Sequence, residues 1–297
     1  MKKYVKYIIV IVIILVIALA AITANINKTS SSEENENFKI VTSFYPIYIM
    51  ALNITDGAEN IELVNMTETN VGCIHDYTLT TSDMKNVENA NVFIENGLSL
   101  EDFIQKITSS NEDLKIIDSS EGITNLIYEE DEINPHIWTS ISNYILQVEN
   151  ITEGLISANP ENASIYEENS KAYIEKLENL KLRYETELNL EGKVALSLNE
   201  SFAYLGEEIG LDLTVIETSH EESTLSAETL KDIINNLNEN DGKIIIVDIE
   251  DDTKNAETIA TETGAEIYVL NSALTGDLEK DAYINIMESN LEILKEM

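Results

Sequence analysis

Short apolar runs punctuate this chain at fairly regular intervals, with polar, helix-compatible stretches between them. From Phe38, the segment Lys39–Ser43 (KIVTS) reads as a buried strand ended by Pro46, and Ile47–Asn53 reads as a helix. Apolar runs recur at Ile61–Val64, Asn91–Ile94 and Leu114–Ile117, with helical segments at Thr81–Glu88 and Leu100–Thr108. A second series opens at Lys193. Lys193–Leu198, Leu213–Glu217, Lys243–Asp248 and Glu266–Leu270 read as strands; Glu200–Glu208, Ala227–Asn238, Lys254–Thr263 and Ala282–Lys295 read as helices. Strands that alternate with helices predict βα units and mainly parallel sheets.

One long helix separates the two series. Asn159 is placed to cap it, Pro160 suits a first turn and Glu161 complements the helix dipole. Tyr166, Tyr173, Leu177, Leu180, Tyr184 and Leu188 follow at spacings of three, four and seven, which is one helix face. The expected fold is α/β: two lobes, each a mainly parallel sheet flanked by helices, joined by one long backbone helix. The N-terminal lobe spans 38–158, the linking helix 159–190 and the C-terminal lobe 191–297. Ligands of such proteins sit in the crevice at the strand ends.

The region before Phe38 is of another kind. Lys2, Lys3 and Lys6 precede an uncharged run from Tyr7 to Ala24. A basic start and an apolar core make residues 1–24 a signal peptide or an N-terminal membrane anchor. No Cys follows that run, so the expectation is an extracytoplasmic protein, secreted or held at the cell surface by the anchor, and not a lipoprotein. Residues 25–37 read as a flexible acidic linker. Cys73 is the only Cys, so no intramolecular disulfide forms.

Charge narrows the function classes. Asp and Glu total 55 against 18 Lys and Arg, a formal net charge of -37. Such a chain repels nucleic acid and suits a partner that is a cation. The sequence holds three His: His75, His136 and His220. His75 lies in GCIHDY and His136 in NPHIW, each before a helix and each followed two residues later by an aromatic, Tyr77 or Trp138. An aromatic there screens a ligand from water. No HExxH or zinc-finger spacing links the three, so a shared site must be assembled by the fold. Cys73 is a further soft ligand type, although a buried inert thiol is the commoner case. Glu129–Glu132 and Glu250–Asp252 are acidic stretches that either attract cations or serve as solvated loops and helix starts. Motifs of serine hydrolases, P-loops and dinucleotide sites are absent.

Longer segments carry a resemblance. FKIVTSFYPIYIMALNI, GCIHDYTLTTSDMKNVENANVFIENGLSLEDF, NPHIWTSISNYILQVENITEGL and NPENASIYEENSKAYIEKL resemble the solute-binding proteins of zinc and manganese ABC importers. SFAYLGEEIGL, KNAETIATETGAEIYVLN and INIMESNLEIL continue the likeness to the end of the chain. The resemblance is to the cluster A-I group, which holds zinc uptake component A and the TroA-like proteins. It implies a protein that is not an enzyme, captures Zn2+ or alternatively Mn2+ as cargo, and hands it as a monomer to an ABC importer permease. It also implies one divalent metal held between the lobes. His75 and His136 match the family's first two ligands, and Asp248, after KIIIV, matches the fourth.

The third ligand departs from the pattern. Counting back three residues from Phe202 lands on Asn199, whose neutral amide is a weak zinc ligand. Glu200 next to it and His220 in the ETSHEEST loop are the two alternatives, and the choice among the three stays open here. Two imidazoles favour Zn2+, while an oxygen-rich remainder moves the site toward Mn2+. Two rival functions share these features: a secreted zinc-dependent hydrolase with an open fourth position, and a surface adhesion protein with a degenerate site.

Overall fold

The computed structural model describes residues 37–67, 77–101, 103–111, 113–129, 132–216, 225–240 and 242–297. The signal or anchor segment 1–24, the linker up to residue 36, Cys73, His75 and His220 lie outside the described residues. Among the described residues no helix is long and apolar enough to cross a membrane.

The first sheet is parallel and ordered β2-β1-β3-β4, from β1 (Phe38–Thr42), β2 (Ile61–Asn65), β3 (Val92–Glu95) and β4 (Lys115–Asp118). Its helices are α1 (Tyr45–Ile54), α2 (Thr81–Glu88), α3 (Ile104–Ser110) and α4 (Ile141–Ala158). Pro46 does not end a strand. It sits in the first turn of α1, where its missing N–H forfeits no intrahelical bond. A capping box starts α2: the Thr80 hydroxyl accepts from Asp83 N–H, and the Asp83 carboxylate accepts from Thr80 N–H. The acidic stretch before His136 forms a short antiparallel pair, β5 (Tyr128–Glu129) with β6 (Glu132–Ile133).

The long helix α5 (Ala163–Glu187) follows a one-turn 3-10 segment at Pro160–Asn162. Asn159 caps that turn, accepting from Asn162 N–H at 3.2 Å. Tyr166, Ser170, Tyr173, Leu177, Leu180 and Tyr184 form the buried face of α5. Leu188 lies just past the last turn and is only half-buried.

The second sheet is also parallel, ordered β10-β9-β7-β8, from β7 (Val194–Ser197), β8 (Asp212–Val215), β9 (Ile244–Asp248) and β10 (Glu266–Leu270). Its helices are α6 (Ala203–Glu208), α7 (Ala227–Glu239), α8 (Lys254–Thr263) and α9 (Ala282–Leu294). Every residue of β9 is buried, as expected of a strand covered on both faces. Ile244 and Ile246 join the main core, whereas Ile245 and Val247 join a smaller one with Ile233, Leu237 and Ile259.

The two sheets share the main core, which contains Phe44, Trp138, Tyr144, Tyr173 and Tyr283. Tyr144 of α4 stacks on Tyr283 of α9 with ring centroids 3.6 Å apart. Hydrogen bonds also cross between the halves. Thr139 Oγ1 donates to the Ser201 carbonyl at 2.7 Å, and Tyr283 OH donates to the Trp138 carbonyl at 2.9 Å.

Candidate metal centre

The N-terminal half contributes the Asn134-Pro135-His136 loop, which follows β6. His136 is 1% exposed. Its N–H donates to Asn134 Oδ1 at 2.9 Å, and its Nδ1 lies 3.0 Å from the same oxygen. Trp138 lies beside it, with ring centroids 5.0 Å apart, and meets Phe44 edge-on. The indole N–H donates to the Ser272 carbonyl at 2.9 Å. The aromatic two residues after His136 thus packs against the imidazole and keeps its surroundings dry.

The C-terminal half contributes the turn after β7. Asn199 caps a 3-10 turn at Glu200–Phe202: its Oδ1 accepts from Ser201 N–H at 2.9 Å, and its Nδ2 donates to Asp251 Oδ2 at 2.8 Å. Both ends of that amide are engaged. Glu200 instead reaches across to the other half, with Oε1 3.6 Å from His136 Nε2. That separation is too long for a hydrogen bond. It is close to the roughly 3.4 Å expected between two ligand atoms each about 2.1 Å from one tetrahedral zinc ion.

Asp248 ends β9 and is 2% exposed. Its Oδ1 accepts from Glu250 N–H at 2.9 Å and its Oδ2 from Ser272 N–H at 2.8 Å. Burial raises its pKa above the ordinary carboxylate value, while Ser272 and the Glu250 N–H pull the other way. Ser272 therefore touches both parts of the site, holding Asp248 through its N–H and Trp138 through its carbonyl. The acidic run after Asp248 divides its roles. Asp251 pairs with Asn199, and Asp252 Oδ1 accepts from Lys254 N–H at 2.9 Å, where α8 begins.

The structure therefore brings His136 and Glu200 together, ties Asp248 to them through Ser272 and Trp138, and turns Asn199 to capping. Among the described residues no three His, Cys, Asp or Glu side chains converge closely enough to hold a metal ion, and His75 and His220 lie outside those residues. Asn134 and Ser272 were not picked out from sequence. A short amide two residues before a Pro-linked His is the signal that could have found Asn134, because Asn readily bonds backbone N–H groups two residues on.

Two parallel four-stranded sheets, each flanked by helices, with a His–Glu pair facing across the two halves, define an α/β solute-binding protein of the metal-binding class. The solved structure of the solute-binding protein FpvC from Pseudomonas aeruginosa in complex with Mn2+ superposes with a TM-score of 0.77 at 27% identity, covering 88% of this chain and 97% of that one. Residues 40–297 match ZnuA, the periplasmic zinc-uptake complex component A, and the chain belongs to that family. The high-affinity zinc uptake system protein ZnuA of Bacillus subtilis (strain 168) is 28% identical over 290 residues, 91% of this chain and 90% of the relative. The manganese-binding lipoprotein MntA of Halalkalibacterium halodurans is 28% identical over 275 residues, 89% of each chain.

The last relative corrects one expectation. A protein of this group carries the name lipoprotein, which overturns the exclusion of a lipoprotein drawn from the missing Cys after the apolar run. The physical reason is that an anchor acts at the end of a chain and leaves no mark on the fold, so the fold and site carry no information on it. The extracytoplasmic placement itself agrees with the family's periplasmic description.

Proposed function

We propose that this chain is an extracytoplasmic carrier that binds Zn2+, or alternatively Mn2+, and delivers it as a monomer to the permease of an ABC importer, without catalysis. The observation that carries this reading is the 3.6 Å gap between His136 Nε2 and Glu200 Oε1. A nitrogen and a carboxylate oxygen are held there at the spacing of two ligands on one ion, not at hydrogen-bonding distance. The ligand set we assign is His136 and Glu200, which stand at ligand spacing, with Asp248 and His75 added by resemblance to the family; Asp248 does not converge on the pair among the described residues, and Asn199 supports the turn that presents Glu200. One or two imidazoles with two carboxylates suit zinc and remain compatible with manganese. The site has the character of a trap. A half-buried carboxylate opposite a buried imidazole lowers the free energy of a divalent cation, and the acidic surface raises its local concentration.

Calorimetric titration of the chelator-stripped full-length chain with Zn2+ and Mn2+ tests the reading. Tight binding of one equivalent is expected, weakened about 100-fold or more in Glu200→Gln and Asp248→Asn, in line with the cost of losing a charged ligand. If the wild-type chain binds neither ion tightly, the carrier reading fails. If Glu200→Gln binds as well as wild type, the third ligand lies elsewhere, with His220→Ala as the next substitution to titrate.

A further inference from the structure

Asn134 makes polar contacts whose donors and acceptors cannot be exchanged. The His136 backbone N–H donates to Oδ1 at 2.9 Å, and Nδ2 donates to the Glu200 carbonyl at 3.1 Å. A backbone N–H can only donate and a carbonyl can only accept, so the amide cannot be turned end for end without breaking both bonds. The atom 3.0 Å from His136 Nδ1 is therefore the amide oxygen. An amide oxygen only accepts, so Nδ1 carries the proton, and in the neutral ring the lone pair sits on Nε2. Nε2 is the atom that faces Glu200. Asn134 is itself held firmly. It is 2% exposed, and its own carbonyl accepts from Tyr204 OH at 2.7 Å, while that hydroxyl accepts from Ile127 N–H at 3.0 Å.

We propose that Asn134 is a positioning residue that locks His136 in the Nδ1–H tautomer and yokes it to Glu200. An imidazole from one half and a carboxylate from the other then face each other before any divalent cation arrives. The inference rests on the carrier reading above, but its first part is measurable without metal. One side chain performs both tasks: Oδ1 sets which ring nitrogen is available, and Nδ2 fixes the backbone of the residue opposite. An aspartate in its place would keep the first task and lose the second, because a carboxylate has no donor for the Glu200 carbonyl.

Nitrogen-15 NMR of the chelator-stripped full-length chain reads the tautomer, with the His136 signal identified by its loss in His136→Gln. Wild type is expected to show a protonated Nδ1 and a bare Nε2. Asn134→Asp retains that pattern. Asn134→Ala moves the ring toward the Nε2–H form that free neutral histidine favours, and weakens Zn2+ binding by about 10–100-fold. An Nε2–H signal in the wild type, or an unchanged tautomer in Asn134→Ala, overturns the proposal. Should Asn134→Ala fail to fold, wild type and Asn134→Asp decide the matter alone. A wild type that binds neither Zn2+ nor Mn2+ but loses its Nδ1–H signal in Asn134→Ala sinks the carrier reading and leaves the positioning role standing.

Discussion

Glu208 at the end of α6 fastens the two halves of the molecule. Its Oε2 accepts from Ile141 N–H at 2.7 Å, and its Oε1 accepts from Ser142 N–H at 2.9 Å and from the Ser142 hydroxyl. These are donors in the first turn of α4, which no carbonyl inside that helix can satisfy. Ser140 caps the next one, accepting from Asn143 N–H at 3.1 Å. Glu208→Ala removes a carboxylate from a helix N-terminus and strands two backbone N–H groups. A charge-assisted hydrogen bond contributes about 1.5–3 kcal/mol net, and a carboxylate near a helix start about 0.3–1 kcal/mol. Glu208 is half-buried, so water replaces part of the loss, and a net cost of roughly 2–4 kcal/mol follows. In urea, with a slope of about 2–3 kcal/mol per molar for a chain of this size, the unfolding midpoint should fall by roughly 1 M. The neighbouring exposed Glu207→Ala is the control and should shift stability by less than about 0.5 kcal/mol. Far-UV circular dichroism of the full-length chain reads both. A Glu208→Ala midpoint indistinguishable from that of Glu207→Ala would refute the reasoning.

Two further outcomes follow from the N-terminal sheet. Burial, with Glu101 and Asp118 close by, pushes the Glu95 pKa up to about 8, and burial pushes Glu101 up to about 7. The native state thus keeps protons that the unfolded chain releases near pH 4.5, so these groups make stability fall as pH climbs from about 4.5 to about 8; unfolding midpoints from pH 5 to 9 should decline more steeply in wild type than in Glu95→Gln, and parallel curves would contradict this. Gly97 has φ of +87°, and a Cβ there would run into the Asp118 carboxylate and the Ser120 hydroxyl, which bond each other at 2.7 Å. Gly97→Ala should cost about 2–4 kcal/mol in the same urea assay, and a stable variant would mean that the turn relaxes.

Much of the fold is legible in the sequence because a parallel strand buried on both faces, such as β9, leaves a continuous apolar run. The edge strand Glu266–Leu270 also appears at its expected limits, as do the helices Thr81–Glu88 and Lys254–Thr263. Turn chemistry is harder to read. Pro46 looks like a strand terminator, but it starts a helix because position N1 or N2 tolerates its missing donor. The Tyr128–Ile133 pairing hides beneath four consecutive acidic letters. In the site, the strand ends that carry Asp248 and the Asn199–Glu200 turn are visible as pattern breaks. Whether Asn199 or Glu200 reaches toward His136 is not, because Asp251, 52 residues away, decides it by accepting from the Asn199 amide. Long-range partners of that kind leave no local trace, and neither does the grip of Asn134 on Glu200.

The seam also dictates the order in which the molecule can be finished. Trp138 needs the Ser272 carbonyl, Tyr45 OH donates to the Asp277 carbonyl, Asn53 Nδ2 donates to the Lys280 carbonyl, and Tyr144 stacks on Tyr283. Each pairs a residue of the first half with one from the last 26 of the chain. A ribosome or a translocation channel delivers the N-terminal strands first, yet their core stays unsealed until α9 emerges. Contacts this distant in sequence slow closure and prolong the exposure of apolar surface. The chain is therefore a late-sealing one, and a product truncated before Ser272 would lack these contacts and leave the first lobe open.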